Sequence, residues 1–136
     1  MDQSILDSIK KLLGIDPGYD VFDIDIIIHI NSTFATLAQI GVGPNDGFEI
    51  EDNTAVWSDF VAADKRLNSV RSYVYLKVRQ YFDPPATSFA LTSIENMLKE
   101  QEFRLQTAAE SDALAIKYPP APIVEPELVL EGDFGD

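Results

Sequence analysis

The sequence predicts a mainly α protein: a small bundle of about four helices, with a short β-like loop segment and an extended C-terminal arm. Three observations carry that expectation. Apolar residues recur every three or four positions in four separate stretches, as one face of a helix requires. Glycine or proline closes the stretches. The last part of the chain abandons the pattern, because Pro119, Pro120, Pro122 and Pro126 crowd into it and proline cannot continue a helix.

The first stretch, residues 2–13, sets Ile5, Leu6, Ile9, Leu12 and Leu13 at helical spacing, and Gly14 followed by Pro17 stops it. In the next, Phe22, Ile24, Ile26, Ile28 and Ile30 alternate as a strand would. Carried on to Gln39, however, the segment offers Ile24, Ile27, Ile28, Phe34, Ala35, Leu37 and Ala38, with Asp20 or Asp23 as N-cap and Gly41 just past the end. Helix is the better reading. Gly43-Pro44 and Asn45-Asp46-Gly47 then mark turns, and the alternation of Phe48 and Ile50 supplies the β-like piece. Ser58 or Asp59 can cap a third helix, whose apolar positions Phe60, Ala63, Leu67, Val70, Val74, Val78 and Tyr81 run to the stop at Asp83-Pro84-Pro85. A fourth starts near Thr87 or Ser88 and carries Phe89, Leu91, Ile94, Leu98, Leu105 and Ala108, with Glu95–Lys99 and Glu100–Arg104 as pairs on the wet side.

At 136 residues the chain suits one core. The helical body is expected over residues 1–110 and the arm over 111–136. Ten Lys and Arg stand against 23 Asp and Glu, a net charge of −13. Such a surface repels DNA phosphates and anionic membranes, so a duplex-wrapping or lipid-docking role would need a basic patch that the composition barely allows. The Pro-rich arm holds Glu125, Glu127, Glu131, Asp133 and Asp136, yet it also spaces out Leu114, Ile116, Tyr118, Ile123, Val124, Leu128, Val129, Leu130 and Phe134. Apolar residues in a segment that cannot form its own core are expected to order on another surface. No apolar run approaches the length of a membrane span and Met1-Asp2-Gln3-Ser4 has no basic leader, so a soluble chain made in the cytoplasm is expected.

No motif carries catalysis. The chain has no cysteine, which excludes thiolate chemistry and cysteine zinc sites, and its single histidine, His29, stands between Ile28 and Ile30, so neither a His-based triad nor a two-His metal site is expected within one chain. Asp23 and Asp25 form an Asp-x-Asp pair, but a helix sends positions i and i+2 to different faces, and carboxylates at a helix start are explained by the macrodipole. The glycines of 41–47 follow a helix and lack the Lys-Ser/Thr of a phosphate-binding loop, and Glu49, Glu51 and Asp52 do not have calcium-loop spacing. No catalytic, metal or cofactor site is expected. Half of the bases, Lys65, Arg66, Arg71, Lys77 and Arg79, fall on the third helix, where they can pair with acids of a neighbouring subunit or simply solvate its outer face.

The run Phe22-Asp-Ile-Asp-Ile-Ile-Ile-His-Ile-Asn-Ser-Thr-Phe34, the loop Gly41-Val-Gly-Pro44, the segment Ala55-Val-Trp-Ser-Asp-Phe60, the helix Leu67-Asn-Ser-Val-Arg-Ser-Tyr-Val-Tyr-Leu-Lys-Val78 and its stop Phe82-Asp-Pro-Pro85 follow one another in a familiar order. Over about residues 2–110 the chain resembles the head–tail connector, or adaptor, proteins of long-tailed bacteriophages. The resemblance implies a helical, non-enzymatic subunit of a ring beneath the portal, in the virion neck, which extends the DNA channel and meets the next neck or tail-completion protein. DNA would pass without specific binding. In that setting Asp46, Glu49, Glu51 and Asp52 on the turn-rich loop are candidates to line the channel, and the arm is expected to dock on an adjacent copy, the portal or the next neck protein. The competing reading is an acidic DNA-mimicking or regulatory binding protein, but a mimic is expected to be compact, without a separate arm rich in proline and apolar residues.

Overall fold

The computed structural model describes residues 3–44, 46–61 and 67–117, with the side chains of 116 and 117 left outside the description. Helix α1 (Ile5–Leu12) starts at Ser4, whose hydroxyl accepts from the Asp7 backbone N–H at 3.2 Å. It stops where the sequence places Gly14. That glycine has φ +84°, its N–H donates to the Lys11 carbonyl, and the Ile15 N–H donates to the Lys10 carbonyl. Helix α2 (Asp23–Gln39) ends in the same way at Gly41, with φ +93° and N–H bonds from Gly41 to Ala38 and from Val42 to Leu37. Its start differs from expectation, because Phe22 occupies the N-cap position and no side chain caps the helix.

The expected third helix is two pieces. Helix α3 (Trp57–Phe60) is a single turn, held by the Val56 N–H donating to the Asp59 carboxylate at 2.9 Å, and Val61 then takes an extended backbone that breaks it. Helix α4 (Leu67–Phe82) begins afresh and ends before the two prolines. Ala63, Lys65 and Arg66 lie outside the described residues. Helix α5 (Ser88–Lys117) starts where the Thr87 hydroxyl accepts from the Ala90 N–H, and it runs seven residues beyond Glu110, so residues 111–117 are helix rather than the beginning of an extended arm. The rest of the expected arm, from Tyr118 onward, is outside the described residues.

The structure thus corrects the expected architecture of about four helices with a β-like loop. Among the described residues there are five helices and no strand. The alternation of Phe48 and Ile50 has another cause. The Asn31 side chain donates to the Ile50 carbonyl at 3.0 Å and accepts the Ile50 N–H at 2.8 Å, so one amide group on α2 satisfies the backbone that a partner strand would otherwise have to satisfy. Phe48 meanwhile packs on Phe34 and Phe60, with ring centroids 5.4 and 5.5 Å apart. The β-type pairing that does occur is an isolated antiparallel bridge between Ser4 and Val56, which ties the start of α1 to the entry of α3.

Helix α4 is the middle element, packed on α2 on one side and α5 on the other, with α1 against α2 and α4. The core joins Ile26, Ile30, Phe34 and Leu37 of α2 to Val70, Tyr73, Val74 and Val78 of α4. Phe34 and Phe60 stack at 4.3 Å, Trp57 meets Phe34 edge-on, and the Trp57 indole N–H donates to the Ser8 hydroxyl at 2.8 Å. Each of these buried aromatics contributes about 2–3 kcal/mol through apolar burial, and the indole bond removes the cost of an orphaned donor. Among the described residues one charged side chain joins this interior. Lys10 is buried, donating to the Pro17 carbonyl at 2.9 Å and pairing with Asp23 at 2.7 Å.

Candidate functional site

Chemistry-bearing residues do not converge. Among the described residues no group of three or more His, Asp or Glu could hold a metal ion. Asp23 pairs with Lys10 while Asp25 is exposed, so the two carboxylates of the Asp-x-Asp pair have separate surroundings. His29, half-buried on α2, lies parallel to the Tyr81 ring of α4, with centroids 6.1 Å apart.

Of the described members of the basic row, Arg71 and Arg79 bond within their own helix and Lys77 reaches a neighbouring one. Arg71 donates to Asn68 at 2.9 Å and Arg79 to the Tyr75 hydroxyl at 3.1 Å, both within α4. Lys77 lies 3.7 Å from Glu102 of α5 and 5.9 Å above the centre of the Tyr81 ring. Glu102 also accepts from the Tyr73 hydroxyl at 2.6 Å. Burial, reinforced by that bond to a carboxylate, pushes the Tyr73 phenol well above its ordinary pKa.

The acidic loop is laid out differently. Asp46, Glu49, Glu51 and Asp52 are all exposed, while Phe48 and Ile50 between them turn to the core. Asp52 accepts from the Thr54 hydroxyl at 2.6 Å and the Thr54 N–H at 2.9 Å, and these bonds hold its carboxyl below the ordinary value, the hydroxyl contributing most. Of the arm candidates, Leu114 is exposed on α5, and the side chain of Ile116 lies outside the description. Tyr118, Ile123, Val124, Leu128, Val129, Leu130 and Phe134 lie outside the described residues altogether.

What the sequence reading missed is an apolar surface. Ile24, Ile28 and Phe89, read there as periodic helix positions, are exposed, together with Tyr19, Val21, Tyr81 and Phe103. An open depression of about 560 Å³ is lined by Leu13, Phe22, His29, Tyr81 and Phe82. The signal was present in the helical phase: Ile24 and Ile28 are each two residues from the buried Ile26, and two residues turn a helix roughly 200°.

The fold and its surface define an all-helical domain that presents apolar and acidic patches, and no described helix is long and apolar enough to cross a membrane. A family model described as phage connector protein matches residues 5–112. The chain belongs to that family. No curated protein and no solved structure matches it.

Proposed function

We propose that the chain is a head–tail connector of the adaptor kind, a structural subunit that forms a homo-oligomeric ring beneath the portal of a long-tailed phage. The ring extends the DNA channel in the virion neck and receives the next neck or tail-completion protein. The observation that carries this reading is the exposed apolar surface on α2 and α5, in a chain that belongs to the phage connector family. Monomeric proteins seldom leave so many large apolar side chains in water, and a repeating assembly covers them. In the ring the exposed acids Asp46, Glu49, Glu51 and Asp52 face the lumen, where a negative wall lets DNA slide without adhering. Arg71, Lys77 and Arg79, with Lys65 and Arg66, supply charges to neighbouring copies, and the segment after Lys117 docks on an adjacent copy, the portal or the next neck protein.

Electron microscopy of the purified chain mixed with its phage's portal rings tests the proposal. The expected result is an added ring layer in register with the portal. A portal that stays bare over a wide concentration range overturns the assignment, and a ring with the 46–52 loop on its outer circumference overturns the lumen placement.

A further inference from the structure

Helices α2 and α5 each carry two apolar stripes where one would suffice for the core. On α5, Ile94, Leu98, Leu105 and Ala109 pack into the bundle. At about 100° per residue, Phe89, Phe103 and Leu114 fall on the opposite side, within roughly 40° of one another. Phe89 and Phe103 are 82% and 69% exposed. On α2, Ile26, Ile30 and Leu37 are buried, whereas Ile24 and Ile28 point away from them, 75% and 57% exposed. Helix α4 packs against both α2 and α5, and each outward stripe faces away from the buried stripe of its own helix.

Charge divides along the same line. Residues 12–64, which include α2, hold ten Asp and Glu and no Lys or Arg. Residues 65–117, which include α4 and α5, hold eight Lys and Arg against six Asp and Glu. An α2 edge set against another α2 edge would bring the exposed Asp25 of one copy toward that of the other, a like-charge contact that disfavours the pairing. Set against an α5 edge, it meets the helix that carries Lys99 and Arg104. Asp25 is exposed beside Ile24 and Ile28, and Lys99 and Arg104 flank Phe103 with both side chains exposed, Arg104 being also paired with Glu100 of its own helix at 2.6 Å.

We infer that copies of this chain join head to tail, the α2 edge of one (Ile24 and Ile28) packing on the α5 edge of the next (Phe89 and Phe103). The inference rests on the ring reading above and adds to it the two surfaces that meet. A contact between two different edges leaves a free edge of each kind at the ends of every oligomer, so it propagates until the rotation closes a ring, whereas a two-fold contact of like edges would stop at a dimer.

The absence of cysteine makes the test clean. Single variants Ile28→Cys and Phe103→Cys, both at exposed positions, are prepared separately, and Asn53→Cys on the exposed loop serves as control. Each is treated with a short bis-maleimide, alone and mixed, in solution and on portal rings. The expected result is cross-linked dimer in the Ile28→Cys and Phe103→Cys mixture, a ladder of higher species from the double variant, and only control levels from either variant alone. Ile28→Asp or Phe103→Asp should each weaken self-association about 10-fold or more, and the two mixed should form a capped pair. Ile28→Cys cross-linking alone as well as in the mixture overturns the inference in favour of a two-fold contact. A wild-type ring without the mixed cross-link overturns the pairing and leaves the ring reading standing, while a wild-type chain that stays monomeric even on portal rings overturns both.

Discussion

Replacing Asp23 by alanine should destabilise the protein more than replacing Lys10 by methionine, although the two side chains share one ion pair. The asymmetry follows from burial. The Lys10 side chain is 1% exposed and the Asp23 side chain 27%. Asp23→Ala leaves the ammonium inside with the Pro17 carbonyl as its remaining bond. Stripping a buried charge of its partner costs about 3–5 kcal/mol, and the surviving bond places this case near 3. Lys10→Met instead leaves a carboxylate that reaches water and sits in the first turn of α2, where the helix dipole favours an anion, while the methionine chain fills most of the lysine's space. About 1 kcal/mol is expected. The double variant should lie close to Lys10→Met alone, because with the cation gone nothing buried is left uncompensated. Urea unfolding followed by far-UV circular dichroism reads all three. With a slope of about 1–3 kcal/mol per molar urea, a 3 kcal/mol loss moves the midpoint by about 1–3 M. Equal costs for the two single changes, or a double variant as unstable as their sum, would refute the reasoning.

Asn31→Ala should cost about 2 kcal/mol, since it orphans both backbone groups of the buried Ile50, and hydrogen exchange at the Ile50 amide should accelerate with it. Gly43→Ala should cost about 2–4 kcal/mol, because the residue has φ +96° and a β-carbon there would run into the Phe60 ring. Gly14→Ala, with φ +84° but open space around it, should cost only about 1 kcal/mol; thermal melts of the two variants compare them directly. Tyr73 holds its proton longer in the folded chain than in the unfolded one, where the phenol titrates near pH ~10, so its contribution is intact below that pH and declines as the pH rises above it. Tyr73→Phe should flatten that alkaline decline while lowering stability near neutrality by about 1–2 kcal/mol, read from urea midpoints across the pH range.

The helices built on a 3.6-residue period were legible in the sequence, as were the stops at Gly14, Gly41 and Pro84. So was the choice of helix for residues 23–39, although Ile24, Ile26, Ile28 and Ile30 alternate like a strand: the two outward isoleucines produce the alternation, and they have no core partner. Lys10 was not legible, because nothing local distinguishes it from the exposed Lys11 beside it; its burial depends on Asp23, thirteen residues away. The β-like loop misled because alternation records which side chains are anchored and says nothing of what satisfies the backbone, which is Asn31. The single turn α3 hid inside a longer periodic run, since Phe60 keeps the spacing while Val61 breaks the backbone. Residues 111–117 fall in the expected arm, yet Ser-Asp-Ala-Leu-Ala-Ile-Lys contains good helix formers and no proline, and it continues α5.

The clip between Asn31 and Ile50 also fixes how the neighbouring acids behave as a source of electric field. Glu49 and Glu51 flank a residue whose backbone is bolted to a helix, and Asp52 is tethered again by Thr54. Carboxylates on a slack loop would swing aside when an anion approached and follow a cation when one passed, so that their potential would average away with their motion. A pinned backbone confines the space that Glu49 and Glu51 sweep, and Asp52, bonded twice to Thr54, acts as a nearly stationary charge whose reach is set by the surrounding salt, about 8 Å at physiological ionic strength.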